Sequence, residues 1–281
     1  MLLVVCHTRA AAQVQDLSPL LPAETSRNTA IRQAVISGDL ARADSLAAGL
    51  PERELWYGIL AIVHDDSTAA IRILRKSNAP KALGVAYYLV GQHLLFRDQM
   101  AEAIRVDPLD FGPYYYLGRH YDTDVDDAEE AARWFRLALE RNPGHARSRA
   151  YLGGCLERLG QTEAAAAAFA ATPQLAQSQL GLARLRLADG DAAGALPFAE
   201  KAMRLDAKNA AAAKLAARLY TGLQRPRDAE RVLEKAAALA PTDATVHYQL
   251  FRLYQSEGQP QKAAAARSEF QRLQAIYGTL P

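Results

Sequence analysis

Residues 219–241 read LYTGLQRPRDAERVLEKAAALAP. A short polar turn, Gln224-Arg225-Pro226, separates two stretches whose apolar residues recur at helical spacing. Pro226 stands where a helix's first turn has no N–H bond to lose. The second stretch is rich in alanine, which gives up no side-chain entropy in a helix. The segment therefore reads as an antiparallel helical hairpin. What decides the fold is whether that hairpin is single or one copy of a series.

The spacing answers this. Pro226 and Pro260 are 34 residues apart, as are Tyr220 and Tyr254, and Ala229 and Ala263. The same interval links Ala183 to Ala217, Gly84 to Gly118, and Tyr87 to Tyr121. Pro108 and Pro143 are 35 apart, one more residue being taken up in the turn Thr123–Asp127. A fixed period of this size marks stacked supersecondary units.

Composition agrees. Of 281 residues, 50% are hydrophobic and 23% charged, the balance of a folded chain. Alanine runs such as EAAAAAFAAT (163–172) and NAAAAKLAARL (209–219) favour helix, and no alternating strand pattern persists. The fold class read from this is all-α. The net charge of +2 gives no bulk attraction to nucleic acid. Two cysteines far apart, Cys6 and Cys155, do not make a disulfide framework or a zinc ribbon. No apolar run reaches the roughly 20 residues that span a bilayer.

The periodic positions carry a resemblance to the tetratricopeptide repeat family, whose loose signature is W-x2-L-G-x2-Y, then A-x3-F, then A and P. One unit supplies Tyr114, Leu117, Gly118, Tyr121, Phe135, Ala138 and Pro143. The next supplies Leu152, Gly153, Gly160, Ala165 and Phe169. Later units supply Tyr220, Ala229, Ala236 and Pro241, then Leu250, Tyr254, Gly258 and Ala263, and an earlier one Leu83, Gly84, Tyr87, Gly91, Ala103 and Pro108. The resemblance covers residues 77–274 and implies a right-handed superhelical solenoid of antiparallel helix pairs with a concave face. Residues 25–76 are expected to be divergent helical hairpins capping the array, residues 1–24 a leader or disordered extension, and 275–281 a tail. The run Leu2–Cys6 followed by Ala10-Ala11-Ala12 fits a truncated signal peptide, which would make the protein exported or periplasmic; without one it would be cytoplasmic. Two departures stand out. Phe96 takes a small-residue position, which predicts that the hairpin there packs more loosely or rotates. Thr172-Pro173 ends its unit early, which predicts a short second helix.

Chemistry is sparse. The six histidines are scattered, with no H-E-x-x-H and no His pair at i, i+4. The acidic run 121–130 lacks the glycine and the final glutamate of a calcium loop, and reads instead as acids at a helix N-terminus. Cys155 is expected to be a small buried residue. No phosphate-binding glycine loop occurs. The sequence assigns no catalytic residue, no cofactor and no metal.

The resemblance implies that first helices line the concave groove through a stripe of positions at helical spacing. Carried over, that register selects Arg119, Arg184, Arg218 and Arg252, then Tyr115, Lys214 and Tyr248, and finally Arg158 as a peptide-binding groove, with Asp122 and Glu157 offsetting part of its charge. Arginine forks and aromatic faces hold carboxylates and extended peptides. The expected function is a non-enzymatic scaffold binding a protein or peptide partner, with acidic or C-terminal-carboxylate peptides as the favoured class. Lys214 occupies a place like that of the chaperone-adaptor clamp, but Arg218 replaces its asparagine. The alternative is an accessory subunit of a bacterial envelope enzyme or export assembly whose catalytic chain is separate. Nucleic acid is not an expected partner, and oligomeric state is left open.

Overall fold

The computed structural model describes residues 17–277. The leader reading at residues 1–16 and the tail at 278–281 lie outside the described residues. The described chain divides into two compact units, one ending at Ser148 and the other beginning at Arg149. Both are helical, and no strand occurs among the described residues.

Unit 1 carries α1 (Thr29–Ser37), α2 (Leu40–Ala47), α3 (Arg53–Val63), α4 (Ser67–Leu74), α5 (Pro80–Leu89), α6 (His93–Val106), α7 (Phe111–His120) and α8 (Ala128–Arg141). These pair consecutively, α1 with α2 through α7 with α8, and each pair packs on the next. Segment 25–76 thus holds two helical hairpins, α1 with α2 and α3 with α4. α9 (Ala146–Arg158) straddles the division. Unit 2 continues with α10 (Thr162–Ala170), α11 (Ala176–Ala188), α12 (Ala192–Leu205), α13 (Ala210–Gly222), α14 (Pro226–Leu239), α15 (Ala244–Ser256) and α16 (Pro260–Tyr277). Here α11 pairs with α12, α13 with α14, and α15 with α16. The quoted stretch closes α13 and forms all of α14, with Pro226 at its first turn.

Small residues set the helix separation. A Cβ on Gly118 of α7 would lie 2.7 Å from the Phe135 ring of α8, and one on Gly153 of α9 would lie 2.8 Å from Phe169 of α10. Gly84 is closed in the same way by Met100, and Gly58 by Leu74. In α13 and α14 the corresponding contact is made by alanines and leucines: Ala217 and Leu233 are buried in one cluster with Ala229 and Tyr220. Leu239, in the last turn of α14, is 39% exposed and lies outside that cluster.

Two expectations about Phe96 and Thr172 resolve differently. Phe96 is fully buried, so that hairpin is not loosely packed. Its ring is taken in by Tyr88 at 5.0 Å and His120 at 5.3 Å, while Gly84 keeps the backbones close. The early stop at Thr172 is real: α10 has 9 residues where α8, α12 and α14 each have 14.

Residues 17–22 belong to the packed body rather than to an extension. Leu20 and Leu21 are buried. The Leu21 carbonyl accepts a hydrogen bond from Lys81 Nζ at 3.0 Å, and the Pro22 carbonyl accepts one from Arg32. No described helix is long and apolar enough to cross a membrane.

Candidate binding face

The selected residues fall in both units. In unit 1, Tyr115 and Arg119 lie one turn apart on α7, and both are buried, at 2% and 9% exposure. Tyr115 stacks edge-on with Tyr116 at 5.3 Å and with His145 at 5.1 Å, and Arg119 Nη1 donates to its hydroxyl at 3.4 Å. The helical register puts these two on one stripe of α7. It could not show that aromatic neighbours cover them, so they are not offered to a ligand.

In unit 2 the stripe is distributed over four first helices. Arg158 is an exposed residue near the end of α9. Arg184 on α11 forms a fork with Glu157 of α9, its Nε donating to Oε1 at 2.7 Å. Lys214 on α13 donates through Nζ to Asp243 at 2.7 Å and to the Thr245 hydroxyl at 3.1 Å, which fastens α13 to the start of α15. Asp243 also caps α15 by accepting from the Thr245 N–H. Burial is the largest influence on Asp243 and pushes its pKa up, but the hydrogen bonds from Lys214 and Thr245 outweigh it and hold the carboxyl below its ordinary value.

What remains accessible is narrower than the sequence stripe. Arg218 on α13 is exposed and makes no hydrogen bond or ion pair among the described residues. Its equivalent one repeat later, Arg252 on α15, is also exposed, and its Nη1 donates to the Tyr248 hydroxyl at 3.2 Å. Tyr248 is 40% exposed and leans on Phe270 of α16, ring centroids 5.3 Å apart. The arrangement offers two guanidinium forks at matched positions on α13 and α15, with a braced phenol beside the second. Forks of this kind grip carboxylates in pairs of parallel hydrogen bonds. Cys155 is fully buried, as a small core residue.

The acidic run divides its duties. Asp127 caps α8 by accepting from the N–H groups of Glu129 and Glu130, as acids at a helix start do. Asp124 has a different role. A one-turn π-helix, Tyr121–Val125, carries it back toward His120.

Residues 186–238 match the family model described as Tetratricopeptide repeat. No curated protein matches the chain. Among solved structures, one from the APC/C hetero-tetramer Cut9-Hcn1 aligns with 94% of this chain and 55% of its own length, at TM-score 0.71 and 15% identity. PilF of Pseudomonas aeruginosa aligns with 72% of this chain and 92% of its own, at TM-score 0.61 and 20% identity. MamA from Desulfovibrio magneticus RS-1 aligns with 60% of this chain and 97% of its own, at TM-score 0.50 and 18% identity. At these identities the likeness is one of fold.

Proposed function

Because the chain is a tetratricopeptide repeat protein, we propose that it is a non-enzymatic scaffold that binds a protein partner through the first-helix face of unit 2. The preferred ligand is a peptide carrying acidic side chains or a free C-terminal carboxylate. The observation that supports this is the pairing of Arg218 and Arg252, exposed at the same register of consecutive repeats, with Tyr248 beside Arg252. Arg184 and Lys214 are spent on Glu157 and Asp243, so they brace the face instead of gripping the ligand.

Fluorescence anisotropy with a labelled acidic peptide tests this reading. A hydrogen bond to a charged group is worth about 1.5–3 kcal/mol, so Arg218→Ala and Arg252→Ala should each weaken binding roughly tenfold or more. Amidating the peptide's C-terminus separates the end carboxylate from side-chain acids. Affinities unchanged in the Arg218→Ala/Arg252→Ala double variant would sink the proposal.

A further inference from the structure

Unit 1 holds a cluster for which peptide binding has no use. His93 opens α6, His120 closes α7, and Asp124 lies in the π-helical turn that follows. One ligand-type atom from each lies within 4.8 Å of the other two. The histidines are 27 residues apart in sequence and meet because α6 and α7 belong to neighbouring hairpins that pack together.

Three observations set this apart from a chance contact. First, His120 Nδ1 and Asp124 Oδ2 are 3.4 Å apart. That is long for a hydrogen bond of the N–H···O type, usually about 2.9–3.0 Å. It is close to the edge, about 3.3 Å, of a tetrahedron whose ligands sit about 2.0–2.1 Å from zinc. Second, His93 Nδ1 is buried and has no hydrogen-bond partner among the described residues. Buried polar atoms are normally satisfied, so an orphaned imidazole nitrogen beside two other ligand-type groups calls for a partner. Third, the Asp124 carboxylate is held in place: the Tyr88 hydroxyl donates to its Oδ2 at 2.8 Å and the Thr123 hydroxyl to the same oxygen at 3.1 Å. Metal-binding carboxylates are held in this manner by outer hydrogen bonds. The turn that aims Asp124 is a single π-helical turn, a feature that recurs at functional sites.

The walls are aromatic. Phe96 and Tyr121 contact the His120 ring at 5.3 and 5.5 Å, and Tyr88 approaches His93 at 6.0 Å. Arg97 is the positive charge that bears on His120 from α6, and Asp124 opposes it. Two imidazoles and one carboxylate match borderline divalent transition metals, whereas magnesium and calcium take oxygen ligands.

We propose that His93, His120 and Asp124 form a binding site for a divalent transition-metal ion of the zinc class, with a water completing the coordination. The ion would staple the start of α6 to the end of α7, and so lock two neighbouring repeats of unit 1 together. Tyr88 acts as a positioning residue that fixes the carboxylate.

The test uses the full chain, stripped with EDTA and dialysed, then titrated with ZnCl2 by calorimetry and with CoCl2 by visible absorption. One equivalent of each metal should bind per chain. Free zinc at about a hundredfold over its Kd should raise the unfolding midpoint by roughly 5–10 °C, and MgCl2 should not. His93 is partly exposed, so His93→Gln should fold, as far-ultraviolet circular dichroism would verify. His93→Gln and Asp124→Asn should each weaken zinc at least about tenfold, the lower bound seen even for residues that only orient a ligand. Tyr88→Phe should weaken it about tenfold while keeping the cobalt spectrum. Failure of the wild type to take up zinc overturns the proposal. So does uptake of equal affinity in His93→Gln and Asp124→Asn, which would place the ion on other groups such as His64 and Asp44, 3.8 Å apart.

Discussion

The hairpin α7/α8 of unit 1 and the hairpin α13/α14 of unit 2 solve one packing problem by opposite means. In the first, a glycine gives up its side chain so that the Phe135 ring can lie on the backbone of α7. In the second, alanine and leucine share the space: Ala217 and Leu233 are 1% exposed within one buried cluster. The ring-on-glycine solution concentrates the contact in one large side chain, whereas the alanine solution spreads it over many small ones. The difference predicts where each hairpin is fragile.

The largest effect should come from Phe135→Ala, which empties the ring's place. Removing a fully buried phenylalanine costs about 3–5 kcal/mol, and thermal or urea unfolding of the full chain would read it. A loss under about 1 kcal/mol would mean that α7 and α8 do not depend on the ring. Next is Gly118→Ala. The new methyl meets the Phe135 ring at 2.7 Å, and overpacking of this kind costs about 1–3 kcal/mol. In the Phe135→Ala background the same change should turn stabilising, since the clash is gone and alanine exceeds glycine in helix propensity by about 1 kcal/mol. The reciprocal change in unit 2, Ala217→Gly, should cost about 1–2 kcal/mol, since it lowers helix propensity and removes a buried methyl without creating or relieving a clash. A Gly118 effect of equal sign in both backgrounds would erase the contrast between the hairpins.

This contrast also explains what could be read without the structure. The 34-residue interval was legible because Pro226, Pro260 and the paired tyrosines sit at corners and contacts that every copy needs. Segment 25–76 looked eroded because those marks are missing, yet Gly58 meets Leu74 sixteen residues on, as Gly84 meets Met100 and Gly153 meets Phe169. A spacing of glycine to large apolar residue, searched in its own right, would have found it. The proposed face was legible only in part. Register fixes which side of a helix a residue occupies, but not whether a partner has already taken it. Lys214 and Arg184 find their acids 29 and 27 residues away, across a helix boundary. For Tyr115, register specifies a helix face but not burial, since its covering rings come from neighbouring side chains and from His145 beyond α8. His93 and His120 share no local spacing at all, and the π-helical turn that brings Asp124 to them has no sequence signature.

Below the core effects lies the Lys214–Asp243 bridge, which belongs to unit 2 alone. Because Asp243 is held below its ordinary carboxylate value, its contribution is fully present above the unfolded carboxylate range, near 3.9. The contribution is lost as pH falls through the folded value. Asp243→Asn keeps a side-chain oxygen for the cap on α15 but removes the charge facing Lys214. It should cost about 1 kcal/mol at pH 7, and the gap from wild type should close on acidification below about pH 4. A gap that stays constant from pH 7 to pH 3 would show that the cap matters and the charge does not.

The smallest expected effect separates the two kinds of arginine in the stripe. Arg184 is 42% exposed at its fork with Glu157, so water screens the pair and its contribution to stability is about 0–1 kcal/mol, reduced further by salt. Arg184→Ala should therefore lower the unfolding midpoint slightly at low ionic strength and hardly at all in 0.5 M NaCl. Arg218 has no such partner among the described residues, so Arg218→Ala should leave the midpoint unchanged at either salt while weakening peptide binding. For Arg184→Ala the weakening should be smaller, because the vacated Glu157 carboxylate then repels an acidic ligand without any direct grip having been lost. Equal stability effects from the two substitutions, or equal binding losses, would show that the ion pair to Glu157 does not sort the stripe into brace and grip.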